Sequence, residues 1–438
     1  MMEKIARILC ILLCISMLLC GCNQGGGETE NPHTEPSADL SGPGETDGID
    51  TDPTEEENVV GLIEQLTVNG TDISKYVILY PRSEYYQAGK AVLKRIKQEY
   101  QYDLITAERV AKLIYELCGV QLEVKMDTAV EEGPHEILVG ATNRNQSIKA
   151  WTRMASQDDY VVQVANGKLV ICGGTYGTTY HAVDALEAHL KGQTQTSVEL
   201  GEDFSSNGTY HLTTICCIGD SITYGSQSTD PVYLSYPANL QRLLWTECVI
   251  YNYGKGGRTL RSDLKDQNGN DPAWTITAEH AACMANETKY DYVLIMLGTN
   301  DADRAAKYGC LGGYTWNDAD DEKYISDYLA LVDELKAKDD DSVFVVMNCP
   351  VSYRVASYDH TRVRSVQAEV AQKLKDRGDV VYFYDMHTYT SENLGSDNFP
   401  DQLHPSDEGY ALMADGVCAM LQAIWAGKVD RYMIQLNG

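Results

Sequence analysis

The 438-residue chain has no CxxC pair, no run of basic residues and no apolar stretch long enough to span a bilayer comfortably. The missing CxxC argues against a zinc site of that kind. The missing basic run matters because 35 Lys and Arg stand against 64 Asp and Glu, a formal net charge of -29. So acidic a body repels nucleic acid and anionic membrane surfaces, and no nucleic-acid partner is expected. Phenylalanine is scarce as well, at 4 against 29 tyrosines, a balance in keeping with a polar ligand.

Lys4 and Arg7 precede the apolar run ILCILLCISMLL, which reads as the core of a signal peptide. The run closes on LCGC, residues 19–22, which resembles the lipobox of bacterial lipoproteins, with small residues before Cys22. That resemblance implies a signal peptide over residues 1–21 and a lipid on Cys22. The alternative is an ordinary secretory signal with a chance cysteine. Residues 22–57 are rich in Gly, Pro, Thr and acids and have almost nothing to bury, so they are expected to form a disordered, self-repelling tether. Without residues 1–21 the net charge is about -30, so lipid rather than charge would hold the protein on the outer face of a bacterial membrane.

Of thirteen cysteines, Cys10, Cys14 and Cys20 leave with the signal and Cys22 is the expected lipid site. The nine others sit mostly in apolar surroundings such as TTICCIG and VVMNCP, and their number is odd. They read as buried small hydrophobes rather than a disulfide framework.

The remaining length suits two domains, expected over residues 58–203 and 211–438. In the first, KYVILYP reads as a strand, while AGKAVLKRIKQEY and TAERVAKLIYELCG have helical spacing. HEILVGATNR, a hairpin turning at Asn166-Gly167 and the helix-period TTYHAVDALEAHLKG complete a small α+β unit. HEILVGATNR, NGKLVICGG and YHAVDALEAHL together resemble the small domain that precedes the barrel in family 20 hexosaminidases and α-glucuronidases. The resemblance implies a carbohydrate-associated accessory domain and no catalytic residue.

In the second, five apolar runs read as strands: TTICCIG, CVIYNYG, YVLIMLG, SVFVVMNCP and VVYFYDM. Amphipathic helical segments alternate with them, which predicts a parallel sheet covered on both faces. Ligands of such sheets bind beyond the carboxyl ends of the strands. That is where Ser221, the glycines of YNYGKGGRTL, Asn300, and Asp401 with His404 fall.

A serine hydroxyl needs a base to take its proton, and the base needs a carboxylate to fix its tautomer. DQLHPSDEGY offers both, with Asp401 and His404 three residues apart. A rival base, His387, follows Asp385 at the end of the fifth strand, but an extended segment there lacks the loop needed to reach Ser221. Donors for a developing oxyanion are available from the Ser221 amide at a helix start, from the Asn300 side chain, and from Gly254, Gly256 or Gly257, where glycine permits close backbone approach.

GDSIT, NYGKGGRT, GTND and DQLHPS, in that order, resemble the four blocks of the SGNH (GDSL-type) hydrolases. The resemblance implies a flavodoxin-like α/β/α sandwich and ester hydrolysis without a cofactor or metal. It assigns Ser221 as nucleophile, His404 and Asp401 as the rest of the triad, and Ser221, Gly257 and Asn300 as oxyanion donors. Asp220, and Tyr314 and Trp316 from YGCLGGYTWNDADDEKY, are expected on the substrate side. The expected function is removal of acyl groups, acetyl foremost, from a polysaccharide. The alternatives are a lipase or lysophospholipase with the same mechanism and an inactive glycan-binding surface lipoprotein.

Overall fold

The computed structural model describes residues 63–82, 85–87, 90–92, 102–266, 268–302, 316–354 and 360–434. Expectations for the signal, the tether, Cys22, Cys310 and Tyr314 lie outside the described residues. Val59–Gly438 form one compact unit built around two main sheets.

The C-terminal sheet consists of β1 (Thr213–Gly219), β2 (Cys248–Gly254), β3 (Tyr292–Met296), β4 (Val343–Met347) and β5 (Val381–Tyr384). All neighbours are parallel, in the order β2-β1-β3-β4-β5. The runs are apolar throughout because both faces are buried, and the two-residue period of a strand sends alternate side chains to opposite cores. Ile215 and Cys217 face one core with Tyr236, Leu240, Met413 and Leu421. Cys216 and Ile218 face the other with Tyr324, Tyr328, Val363 and Val370. The result is a three-layer α/β/α sandwich. After β2 the chain returns to pair β3 on the other side of β1, so the carboxyl end of β1 lies at the topological switch point, where a crevice opens.

The N-terminal region carries a six-stranded mixed sheet. Val124–Met126, Val77–Tyr80, Glu136–Val139 and Lys168–Gly173 run parallel, and Asp159–Ala165 and Ser205–Thr209 join antiparallel. Asn166 and Gly167 both take positive φ, at 52° and 74°, as the tight hairpin between Asp159–Ala165 and Lys168–Gly173 requires. Helices Tyr102–Cys118 and Tyr176–Lys191 cover one face. Of the segment AGKAVLKRIKQEY only Lys90–Val92 lies within the described residues, and there the expectation is corrected: it is a strand paired with Tyr85–Gln87 rather than helix. The tyrosines and Val92 favour pairing, and that outweighs the helical spacing.

Side chains bind this region to the C-terminal sandwich. His181 Nε2 lies 2.8 Å from the Thr246 carbonyl oxygen, Tyr251 donates to Gln157 at 2.9 Å, and Tyr102 stacks on Trp245 at 4.8 Å. Of the eight described cysteines, all free thiols, seven are buried and Cys118 is half-buried.

Candidate active site

β1 ends in Gly219, and the chain turns at once into the short helix Ser221–Tyr224. The turn is tight enough that a side chain at residue 219 would collide with Thr223 and lie 2.9 Å from the Met296 carbonyl oxygen. Only glycine fits. Asp220 caps the helix, its Oδ1 accepting the Ile222 amide at 2.9 Å. Ser221 therefore stands at the first helical position, over the end of the sheet and 7% exposed.

The last loop brings the base. Asp401 Oδ1 accepts the amides of His404 at 2.7 Å and Leu403 at 3.0 Å, which folds the four residues into a turn. Gln402 takes φ 69° to complete it, and its carbonyl accepts the Tyr353 amide at 2.9 Å. Positive φ is costly for a residue with a side chain, and the surrounding hydrogen bonds hold it. Ser406 then caps the long helix Asp407–Trp425.

In this arrangement His404 Nδ1 lies 2.7 Å from Asp401 Oδ2 and His404 Nε2 lies 2.8 Å from Ser221 Oγ. With the carboxylate ionised, Nδ1–H donates to Asp401 and Nε2 is left to accept the serine proton. Burial pushes the Asp401 carboxyl up, but the His404 amide, the His404 ring and the Leu403 amide outweigh it and hold the group below the usual carboxylate range. Arg354 stands 3.5 Å from the same Oδ2.

The glycine loop after β2 borders the nucleophile. A side chain on Gly256 would come within 3.9 Å of Ser221 Cβ, and Gly257 takes φ 71°. Asn300 Nδ2 donates to the Arg258 carbonyl at 3.0 Å, which pins that side chain to the same loop and leaves its second N–H for another acceptor. Ser221, the glycine loop and Asn300 thus follow the carboxyl ends of three neighbouring strands, β1, β2 and β3.

Other expectations are corrected. Asp220 is not a substrate contact: it is 1% exposed, and burial pushes its carboxyl up to about 7 although the Ile222 amide opposes this. Trp316 is committed to packing, its Nε1 donating to Asp321 at 2.6 Å and its ring lying beside Arg261 and Tyr324. His387 lies in a helix capped by Asp385, not in an extended segment, and its ring faces Arg364.

Two residues were missed from sequence. Asp301, 0% exposed, accepts the amides of Leu260 at 3.0 Å and Arg261 at 2.9 Å, so it ties the segment following β3 to the glycine loop. Its position after Asn300 in GTND was the available signal. Tyr224, 47% exposed on the nucleophile helix, presents an aromatic face to solvent.

Residues 217–412 match the model of the GDSL-like lipase/acylhydrolase family. The match covers less than half of the chain; it marks a GDSL-like acylhydrolase domain in the C-terminal part and supports a serine hydrolase acting on ester bonds. Among solved structures, it is similar to a family two carbohydrate esterase from Clostridium thermocellum in complex with cellohexaose, at 22% identity over 51% of this chain and 68% of that one, TM-score 0.37. A putative arylesterase from Agrobacterium tumefaciens is 19% identical over 49% of this chain and 100% of its own, TM-score 0.34. A putative GDSL-like lipase from Parabacteroides merdae is 18% identical over 47% and 95%, TM-score 0.35. No curated protein matches the chain.

Proposed function

We propose that the protein is a surface-anchored esterase that removes acyl groups, acetyl foremost, from a polysaccharide through an acyl-enzyme on Ser221. The observation that carries the reaction is the hydrogen-bonded line Asp401–His404–Ser221, at 2.7 and 2.8 Å. His404 takes the Ser221 proton as Oγ attacks the ester carbonyl, and Asp401 stabilises the imidazolium that forms. The amides of Ser221 and Gly257 and the side chain of Asn300 hold the oxyanion. His404 then protonates the leaving alcohol, and water releases the acid by the reverse sequence.

The polysaccharide part rests on the accessory domain's resemblance to glycosidase-associated domains, on the export and tether signals, and on the exposed Tyr224 ring at the end of the nucleophile helix, since an aromatic face suits a sugar ring. The anchor rests on LCGC ending at Cys22. Turnover of 4-nitrophenyl acetate that disappears in Ser221→Ala supports the esterase; no turnover on any short-chain ester favours a glycan binder. Acetate released from acetylated xylan, chitin or peptidoglycan fragments identifies the polymer. Detergent-phase partitioning that is lost in Cys22→Ser tests the anchor.

A further inference from the structure

The loop that borders the nucleophile carries two cations on a strongly acidic chain, Lys255 and Arg258, and they are held very differently. Lys255 Nζ is spent on Glu279 Oε1 at 2.7 Å. Burial pushes the Glu279 carboxyl up, but that bond and the fields of Lys255 and Arg258 keep it ionised. Glu279 thus pairs directly with Lys255 and lies in the field of Arg258, and the three groups together keep one net positive charge.

That charge sits on Arg258, the residue after Gly257. Its carbonyl is fixed by the Asn300 side chain at 3.0 Å, so its backbone cannot drift from the oxyanion donors. The side chain is half-buried, and its Nε is sealed from water without an acceptor. Among the described residues no carboxylate or carbonyl reaches the guanidinium. The contrast with Arg261 three residues on is plain, since that guanidinium is held by Asp263 at 2.7 Å and Asp320 at 2.6 Å. The buried Nε has given up hydration without an acceptor in return, and the guanidinium shares the field of Glu279, whose Oε2 is likewise buried without a hydrogen-bond partner.

We propose that Arg258 is a specificity residue that takes a carboxylate on the alcohol side of the ester, so that the preferred substrate is an acylated acidic sugar. A planar guanidinium whose terminal nitrogens meet no acceptor among the described residues matches a carboxylate through two parallel hydrogen bonds, which a lysine in its place would not reproduce. A chain of net charge -29 repels an acidic polymer at long range, so a local cation is needed where the ester must seat. Arg354 stands 3.5 Å from Asp401, a second cation beside the triad carboxylate. The inference rests on the esterase reading, since the ester must be bound at Ser221.

The test compares kcat/KM of the full chain on acetylated galacturonan oligomers and on acetylated xylan oligomers of matched length, with 4-nitrophenyl acetate as a probe that carries no carboxylate. The wild type is expected to prefer the acidic substrate. Arg258→Met lowers the acidic-to-neutral ratio by about tenfold or more, the loss expected for a charge-assisted pair, and Arg258→Lys recovers part of it. In the wild type the same preference shrinks as ionic strength is raised to about 0.5 M, a readout that does not depend on any variant folding. A wild type with no preference, or a ratio unmoved in Arg258→Met while 4-nitrophenyl acetate is still hydrolysed, overturns the inference and leaves the esterase standing. No turnover on any of the three esters overturns both.

Discussion

Asp301 accepts the Arg261 amide at 2.9 Å from a fully buried position, and its second oxygen holds Leu260 at 3.0 Å. The residue next to Asn300 thereby anchors the segment that follows the glycine loop. Asp301→Asn keeps the shape but turns a donor toward one of those amides. The expected cost is about 1–3 kcal/mol of stability, with a lower kcat because Gly257 is no longer held in place. Calorimetry and 4-nitrophenyl acetate kinetics check both; an unchanged Tm and an unchanged kcat would refute the role.

Asp220 and Asp301 also give a dependence on pH. Burial is the first cause in each, raising Asp220 to about 7 and Asp301 to about 6. The folded state therefore holds these protons more tightly than the unfolded chain. The stability this confers is complete below about pH 4 and is lost as pH rises through the raised values. Asp220→Asn stays neutral, and its side-chain oxygen still accepts the Ile222 amide. Its Tm is expected to fall less than that of the wild type between about pH 5 and about pH 8. Equal falls in the two proteins would contradict the assignment.

Asn300→Ala removes a donor whose value rises as negative charge develops on the substrate oxygen. It is expected to lower kcat by about 100-fold or more, with KM little changed. Steady-state kinetics on 4-nitrophenyl acetate decide the matter. A change confined to KM would make Asn300 a binding residue instead.

The sheet was legible because each of its strands is buried on both faces, so the apolar runs stand out against amphipathic helices. Ser221 and the Asp401–His404 turn were conspicuous for a related reason: polar residues directly after a buried strand, or in a short loop before a helix, have few other uses. Burial of individual acids was not legible. Asp220 reads from sequence as a substrate-side residue, and only the clash that a side chain at residue 219 would make with Thr223 and the Met296 carbonyl reveals how closely that turn is packed. Trp316 looked available to substrate because Arg261, which lies over its ring, becomes a neighbour only through the fold. The Lys90–Val92 strand was hidden by helical spacing, because pairing with Tyr85–Gln87 is a property of two segments and not of one.

The central claim is that His404 activates Ser221. A fluorophosphonate reacts covalently with a serine only when a base withdraws the proton, and peptide mass spectrometry locates the adduct. The full chain is expected to be labelled on Ser221, with labelling lost in Ser221→Ala and strongly slowed in His404→Ala. An unlabelled wild type, or labelling of Ser221 that proceeds at the same rate without His404, would contradict it.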